Sequence, residues 1–257
     1  MRRAFVALAL ALAACDGTGG DVGSATRSPT VTAPTTTATP SASVTVSATT
    51  SPTSSPSPPP DLRLPPDAPT TFDGAVSAEG PFEQLAPPGS EVLDVWFQKP
   101  AGEASAIAGV VWGRGDDPFA RELGVVVWQE SPQAPAWRAT FAFTDEPAKG
   151  VLGISLDVAD LTLDGLDDAL TLEQTGGTGA CGVWRVIAPF DGGASQVLRR
   201  ATCDAQIAIV DTHLELTEAV FEPNDAHCCP SAFRTTTIEW DGSEFVETDV
   251  RVEEVDG

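Results

Sequence analysis

The chain of 257 residues contains no tyrosine, a single methionine, only two histidines and few cations: 14 Lys and Arg stand against 37 Asp and Glu, a formal charge of −23. Each scarcity excludes something. Phosphate backbones are bound by clustered Lys and Arg, so a nucleic-acid partner is disfavoured. With only His213 and His227 available, any Ser-His-Asp or Cys-His site would have to be built on one of them. A G-x-S-x-G elbow is missing; Gly153-Ile154-Ser155-Leu156-Asp157 ends in Asp. A long amphipathic helical pattern is also missing, which excludes a helix-flanked EF-hand. Cysteines occur without a C-x-x-C pair, and the histidines lie fourteen residues apart, which argues against zinc.

What is there begins at the N-terminus. Arg2-Arg3 precede an apolar run from Ala4 to Ala14 that is too short to span a bilayer. A basic start, a short apolar core and small residues before the break have the form of an export signal. Leu12-Ala13-Ala14-Cys15 matches the lipobox of bacterial lipoproteins, in which the Cys thiol is diacylated and becomes the new N-terminus. The expectation is a signal peptide over 1–14, a mature N-terminus over 15–23 and an acylated Cys15. Two or more acyl chains anchor a protein stably where one holds it marginally. Residues 24–60 are nearly all Ser, Thr, Pro, Ala and Val, with Arg27 the only charge. Such a segment cannot bury enough apolar surface to offset its ordering entropy and reads as a disordered tether. As a coil it would reach about 30–40 Å, and fully extended on the order of 100 Å.

Residues 61–257 suit one domain. They hold all six Trp, and their 11 Lys and Arg against 35 Asp and Glu make this the acidic part of the chain. Period-two alternation with β-branched and aromatic residues predicts strands over 92–97, 108–112, 124–128, 137–143, 154–158, 170–172, 183–186, 196–198, 210–216, 234–240 and 245–252. Single turns are expected at Pro118–Arg121 and Asp167–Ala169. The fold class is therefore mainly β: an antiparallel meander of about 8–11 strands in two packed or strongly twisted sheets, with little helix. Trp128, Trp184 and Trp240 recur at intervals of 56, but the residues between them align poorly, so the spacing is read as coincidence.

Cys181, Cys203, Cys228 and Cys229 form an even set in an exported chain and predict two disulfides. A hairpin turn at Asp191-Gly192-Gly193-Ala194 pairs residues whose numbers sum to about 384, as 181 and 203 do. This favours Cys181–Cys203 and would leave Cys228-Cys229 as a vicinal pair; crossed pairings stay open.

Acidic residues and a hydroxyl at alternate positions mark Asp160-Leu161-Thr162-Leu163-Asp164-Gly165-Leu166-Asp167-Asp168. Calcium takes six to eight oxygens, and loops of this kind supply them. The segment resembles the calcium loops of FG-GAP and related propeller repeats, D-x-[DN]-x-D-G-x-x-D, with Thr162 where an acid or amide belongs and Leu163 where Gly is common. Asp160, Thr162, Asp164 and Asp168 are the candidate calcium ligands; an acidic β-turn between two strands is the other reading.

Leu214-Glu215-Leu216, then His227-Cys228-Cys229-Pro230-Ser231, then Ile238-Glu239-Trp240-Asp241-Gly242 follow one another towards the C-terminus. This order, with Cys181-Gly182-Val183-Trp184-Arg185-Val186 upstream, resembles the LppP/LprE lipoproteins of high-G+C Gram-positive bacteria. The resemblance implies an envelope location and a strand, loop, strand arrangement; it implies no reaction and no catalytic residue. The functional expectation is a non-catalytic binding or structural module, lipid-anchored on the extracytoplasmic face of the cell membrane, with an envelope partner and no required cofactor. Two alternatives are a calcium-dependent ligand-binding or adhesion module and an envelope hydrolase using an acidic pair.

Overall fold

The computed structural model describes residues 62–101, 105–117, 119–131, 136–145, 150–176, 181–190 and 192–255. The expected signal peptide, the expected acylation site Cys15 and the expected tether lie outside the described residues. Among these, thirteen strands succeed one another: β1 (Thr71–Asp73), β2 (Glu91–Gln98), β3 (Ile107–Arg114), β4 (Glu122–Glu130), β5 (Ala136–Asp145), β6 (Val151–Ala159), β7 (Asp168–Thr175), β8 (Gly182–Phe190), β9 (Gly193–Thr202), β10 (Ala205–Val210), β11 (His213–Val220), β12 (Ala232–Trp240) and β13 (Phe245–Glu254). A 3-10 turn at Phe82–Gln84 is the helical element described. The antiparallel meander expected from the alternation is the fold observed. It is divided into three sheets, ordered β1-β5-β4-β3-β2, β6-β7-β8-β9 and β10-β11-β12-β13.

The three sheets are layered. Ile107, Val111, Leu123, Val125 and Val127 of the first sheet pack on Ile154, Ala169 and Ile187 of the second. The other face of the second sheet, with Leu170, Trp184 and Val186, packs on Leu214, Leu216 and Ile238 of the third. The remaining face of the first sheet carries Val110, Trp112, Val126 and Trp128 and is covered by Phe82, Leu85 and Ala86 from the preceding segment. Trp128 Nε1 donates to the Leu85 carbonyl at 3.1 Å, tying that cover down. Because both faces are buried, β3 and β4 read as nearly continuous apolar runs.

Two glycines make the first sheet packable. Trp96 pairs across the strands with Gly109, and Trp112 with Gly124. In each pair the indole folds over the glycine, so that a Cβ on Gly109 would overlap Trp96 and one on Gly124 would stand 2.6 Å from both Trp112 and the Phe143 carbonyl. Gly109→Ala should displace the buried Trp96 ring and cost about 1–3 kcal/mol. An unchanged urea midpoint in that variant would show that the indole does not rest on this glycine.

Several local expectations are corrected. The stretch 210–216 is a hairpin: β10 ends at Val210, and Asp211 at φ 53° turns the chain into β11. Asp and the following Thr are turn formers, and the apolar residues on either side had masked them. Asp168 and Ala169 begin β7 and form no turn, because Asp168 is drawn inward. Pro118 lies outside the described residues. In β5 a bulge between the Val127 and Trp128 pairings puts Trp137 and Ala139 on one face and Phe141 and Phe143 on the other.

The 384 register holds at the open end of the second sheet, where Gly182 pairs with Thr202 and Val183 with Ala201. Cys181 and Cys203 continue it and form a disulfide. Trp128, Trp184 and Trp240 each lie on the third strand of a four-strand meander, respectively β4, β8 and β12. They stand at different points along those strands, and Trp128 and Trp184 belong to different clusters. The equal spacing therefore joins no equivalent side-chain positions, as a coincidence would.

Candidate functional site

The acidic loop joins β6 to β7 beside the first sheet. Its carboxylates bind the loop's own backbone. Asp160 accepts the Asp164 N–H on Oδ1 at 3.0 Å and the Gly165 N–H on Oδ2 at 3.1 Å. Asp164 Oδ1 accepts the Leu166 N–H at 2.8 Å. Asp168 is fully buried; its Oδ2 accepts the N–H groups of Leu161 and Thr162 at 2.9 and 2.7 Å. Thr162 is buried too, and its hydroxyl lies 3.3 Å from Asp168 Oδ1. Burial pushes the Asp168 carboxyl up to about 7 against the pull of those hydrogen bonds, with the Asp164 charge adding to the rise. The loop is docked reciprocally on β2, with Gln98 Nε2 donating to the Asp167 carbonyl at 2.9 Å and the Asp167 N–H donating to Gln98 Oε1 at 2.8 Å.

Of the four candidate ligands, then, Asp160 and Asp164 cap the loop from its surface side, and Thr162 and Asp168 hold it from beneath. Among the described residues no three acidic, His or Cys side chains converge as an ion-binding group. Leu163, at the position where a glycine was expected from the motif, does adopt the left-handed region at φ 59°. The backbone shape of the pattern is thus retained with a bulky residue in it, exposed at the loop tip.

The loop from β11 to β12 is organised by Asp225. Its Oδ2 accepts the Glu222 N–H at 2.7 Å, the Ser231 N–H at 3.0 Å and the Ser231 hydroxyl at 2.7 Å, which closes both ends of the loop. The Ser231 hydroxyl and the Glu222 amide together hold this half-buried carboxyl below its ordinary range. Within the loop the Cys229 N–H donates to the Ala226 carbonyl at 2.8 Å. The His227 ring stacks on Phe221 at 5.4 Å, and its Nε2 lies 3.5 Å from Asp204, the residue after Cys203. Cys228 and Cys229 are both exposed, with their Sγ atoms 2.9 Å apart. The expected motif order is placed as strand, loop and strand: 214–216 in β11, the Cys-Cys-Pro-Ser run in the loop, Trp240 at the end of β12 and Asp241-Gly242 in the turn to β13. His213 opens β11 half-buried.

A third polar constellation was not read from the sequence. Arg185 of β8 and Glu173 of β7 form an ion pair buried between the first and second sheets, and the guanidinium lies 4.2 Å over the Phe143 ring. Asp145, buried at the end of β5, adds a second negative charge that acts on Arg185. The available signal was an arginine inside the apolar run Val183-Trp184-Arg185-Val186. By contrast, the guanidinium of Arg114, at the end of β3, is held by Asp67 at 2.9–3.0 Å and by Glu122 at 2.8 Å.

The class that the described residues define is an antiparallel β protein of three layered sheets stapled by the Cys181–Cys203 disulfide. Comparisons with protein-family models, with curated proteins and with solved structures return no match.

Proposed function

We propose that this chain is a lipid-anchored lipoprotein on the extracytoplasmic face of the cell membrane. Its β domain serves as a non-catalytic binding or structural module of the envelope. The observation that carries this reading is the run from Arg2 to Cys15, an export signal that ends in a lipobox, followed by the Ser/Thr/Pro-rich stretch 24–60. The tether would set the working surface of the domain away from the membrane. The Cys181–Cys203 disulfide supports an oxidising compartment. The order of strand, Cys-Cys-Pro-Ser loop and strand ending in Trp-Asp-Gly supports kinship with the LppP/LprE lipoproteins, a reading that rests on those motifs alone.

Changing Cys15 to Ser tests the anchor. In a Gram-positive host fed a clickable fatty acid, the parent should carry the label and partition into detergent. The Cys15→Ser chain should lose the label and either remain unprocessed or appear in the medium. Normal processing with unchanged membrane retention would refute the proposal.

A further inference from the structure

We infer that Cys228 and Cys229 form a reversible redox site, an exposed vicinal dithiol that takes a low-molecular-weight disulfide as its exchange partner. Three observations carry the inference. The two Sγ atoms lie 2.9 Å apart, so the loop presents them facing one another. Both side chains are exposed on a loop outside the strands, where a reagent can reach them. The loop is closed by Asp225 through three hydrogen bonds to Glu222 and Ser231, none of which involves either sulfur. The ends of the loop are therefore held by contacts that do not involve the sulfurs.

This differs in kind from the bond between Cys181 and Cys203. That disulfide joins residues 22 apart and staples the ends of β8 and β9, so it removes freedom from the unfolded chain. A bond between adjacent residues closes no loop of intervening chain and contributes almost nothing of that sort. An exposed bond with no structural duty is the kind that exchanges readily.

The chemistry balances as follows. One thiolate of the pair attacks a sulfur of the incoming disulfide RSSR, forms a mixed disulfide and releases RS⁻. The neighbouring thiolate attacks the protein sulfur of that mixed bond, closes Cys228–Cys229 and releases the second RS⁻. Two protein thiols are oxidised by two electrons, RSSR is reduced to two RSH, and the two cysteine protons end on the released thiolates. Excess RSH drives the same steps backwards.

The test uses the full chain under native conditions. After mild reduction the protein is exposed to oxidised glutathione, quenched in acid, alkylated and mapped by mass spectrometry. The peptide spanning both cysteines should take two alkyl groups after reduction. After oxidation it should take none and be lighter by two hydrogens than the dithiol, with no glutathione adduct, while Cys181–Cys203 stays closed throughout. In the Cys229→Ser chain the glutathione adduct on Cys228 should persist, because the resolving thiol is missing. Thermal midpoints of the open and closed forms should agree to within about 2 °C. Double alkylation after oxidation, a persistent adduct in the parent, or a bond from either residue to Cys181 or Cys203 would overturn the inference. So would a large fall in midpoint on opening, which would make the bond a structural staple.

Discussion

Arg185→Met should destabilise the domain by about 3–5 kcal/mol, the cost of leaving a buried charge without its partner. The Arg185 side chain is 9% exposed and that of Glu173 4%, and both sit at the interface of the first and second sheets. Burial of the guanidinium outweighs the attraction of Asp145 and brings Arg185 down to about 10, still high enough to keep it a cation at neutral pH. Without it the Glu173 carboxylate would face apolar side chains and the Phe143 ring, which now receives the cation at 4.2 Å. Urea melts read the loss directly. Adding Glu173→Leu to Arg185→Met should recover a substantial part of it, since replacing both members of a buried pair by apolar groups is often neutral. A single-variant loss below about 1 kcal/mol would show that water reaches the pair and screens it.

Asp168 gives the second large effect, with a pH signature. Its folded pKa of about 7 lies above the ordinary 3.8. Between those values the folded protein holds a proton that the unfolded chain has released. Its contribution is therefore fully present below about pH 4 and is lost as pH rises through 7, with a slope of at most about 1.4 kcal/mol per pH unit. Asp168→Asn reproduces the protonated group: the amide oxygen accepts from Leu161 and Thr162, and the amide nitrogen can donate to the Thr162 hydroxyl. The variant should match the parent near pH 4 and exceed it at pH 8, with a flatter profile between. Asp168→Ala should lose about 2–4 kcal/mol near pH 4, because two buried backbone N–H groups lose their acceptor, and its deficit should narrow as pH rises and the parent loses the contribution of the protonated carboxyl. Stability curves measured from pH 4 to 8 on the three chains separate these outcomes. Parallel profiles for parent and Asp168→Asn would refute the raised pKa.

These two sites also show where sequence reasoning stops. Alternation located nearly every strand, and the hairpin sum placed Cys181 opposite Cys203, because a two-residue period and a turn position are local properties. The acidic loop was found by its spacing, but spacing could not say what the carboxylates face. Asp168 differs from Asp160 and Asp164 only in beginning a strand that is covered on both sides. In the same way, Trp137, Ala139, Phe141 and Phe143 look like one face, and a single bulge divides them between two cores.

By itself, then, the sequence determined the β meander, the hairpin register behind the disulfide and the acidic character of the domain. The physical reason is that hydrophobic periodicity, turn chemistry and net charge are carried by neighbouring residues. Only the tertiary structure decided the division into three layered sheets, the pairing of Arg185 with Glu173, the burial of Asp168 and the closing of the β11–β12 loop by Asp225. Those depend on which surfaces meet across the layers and on which hydrogen bonds a loop can complete once its ends are held. No local pattern contains that information.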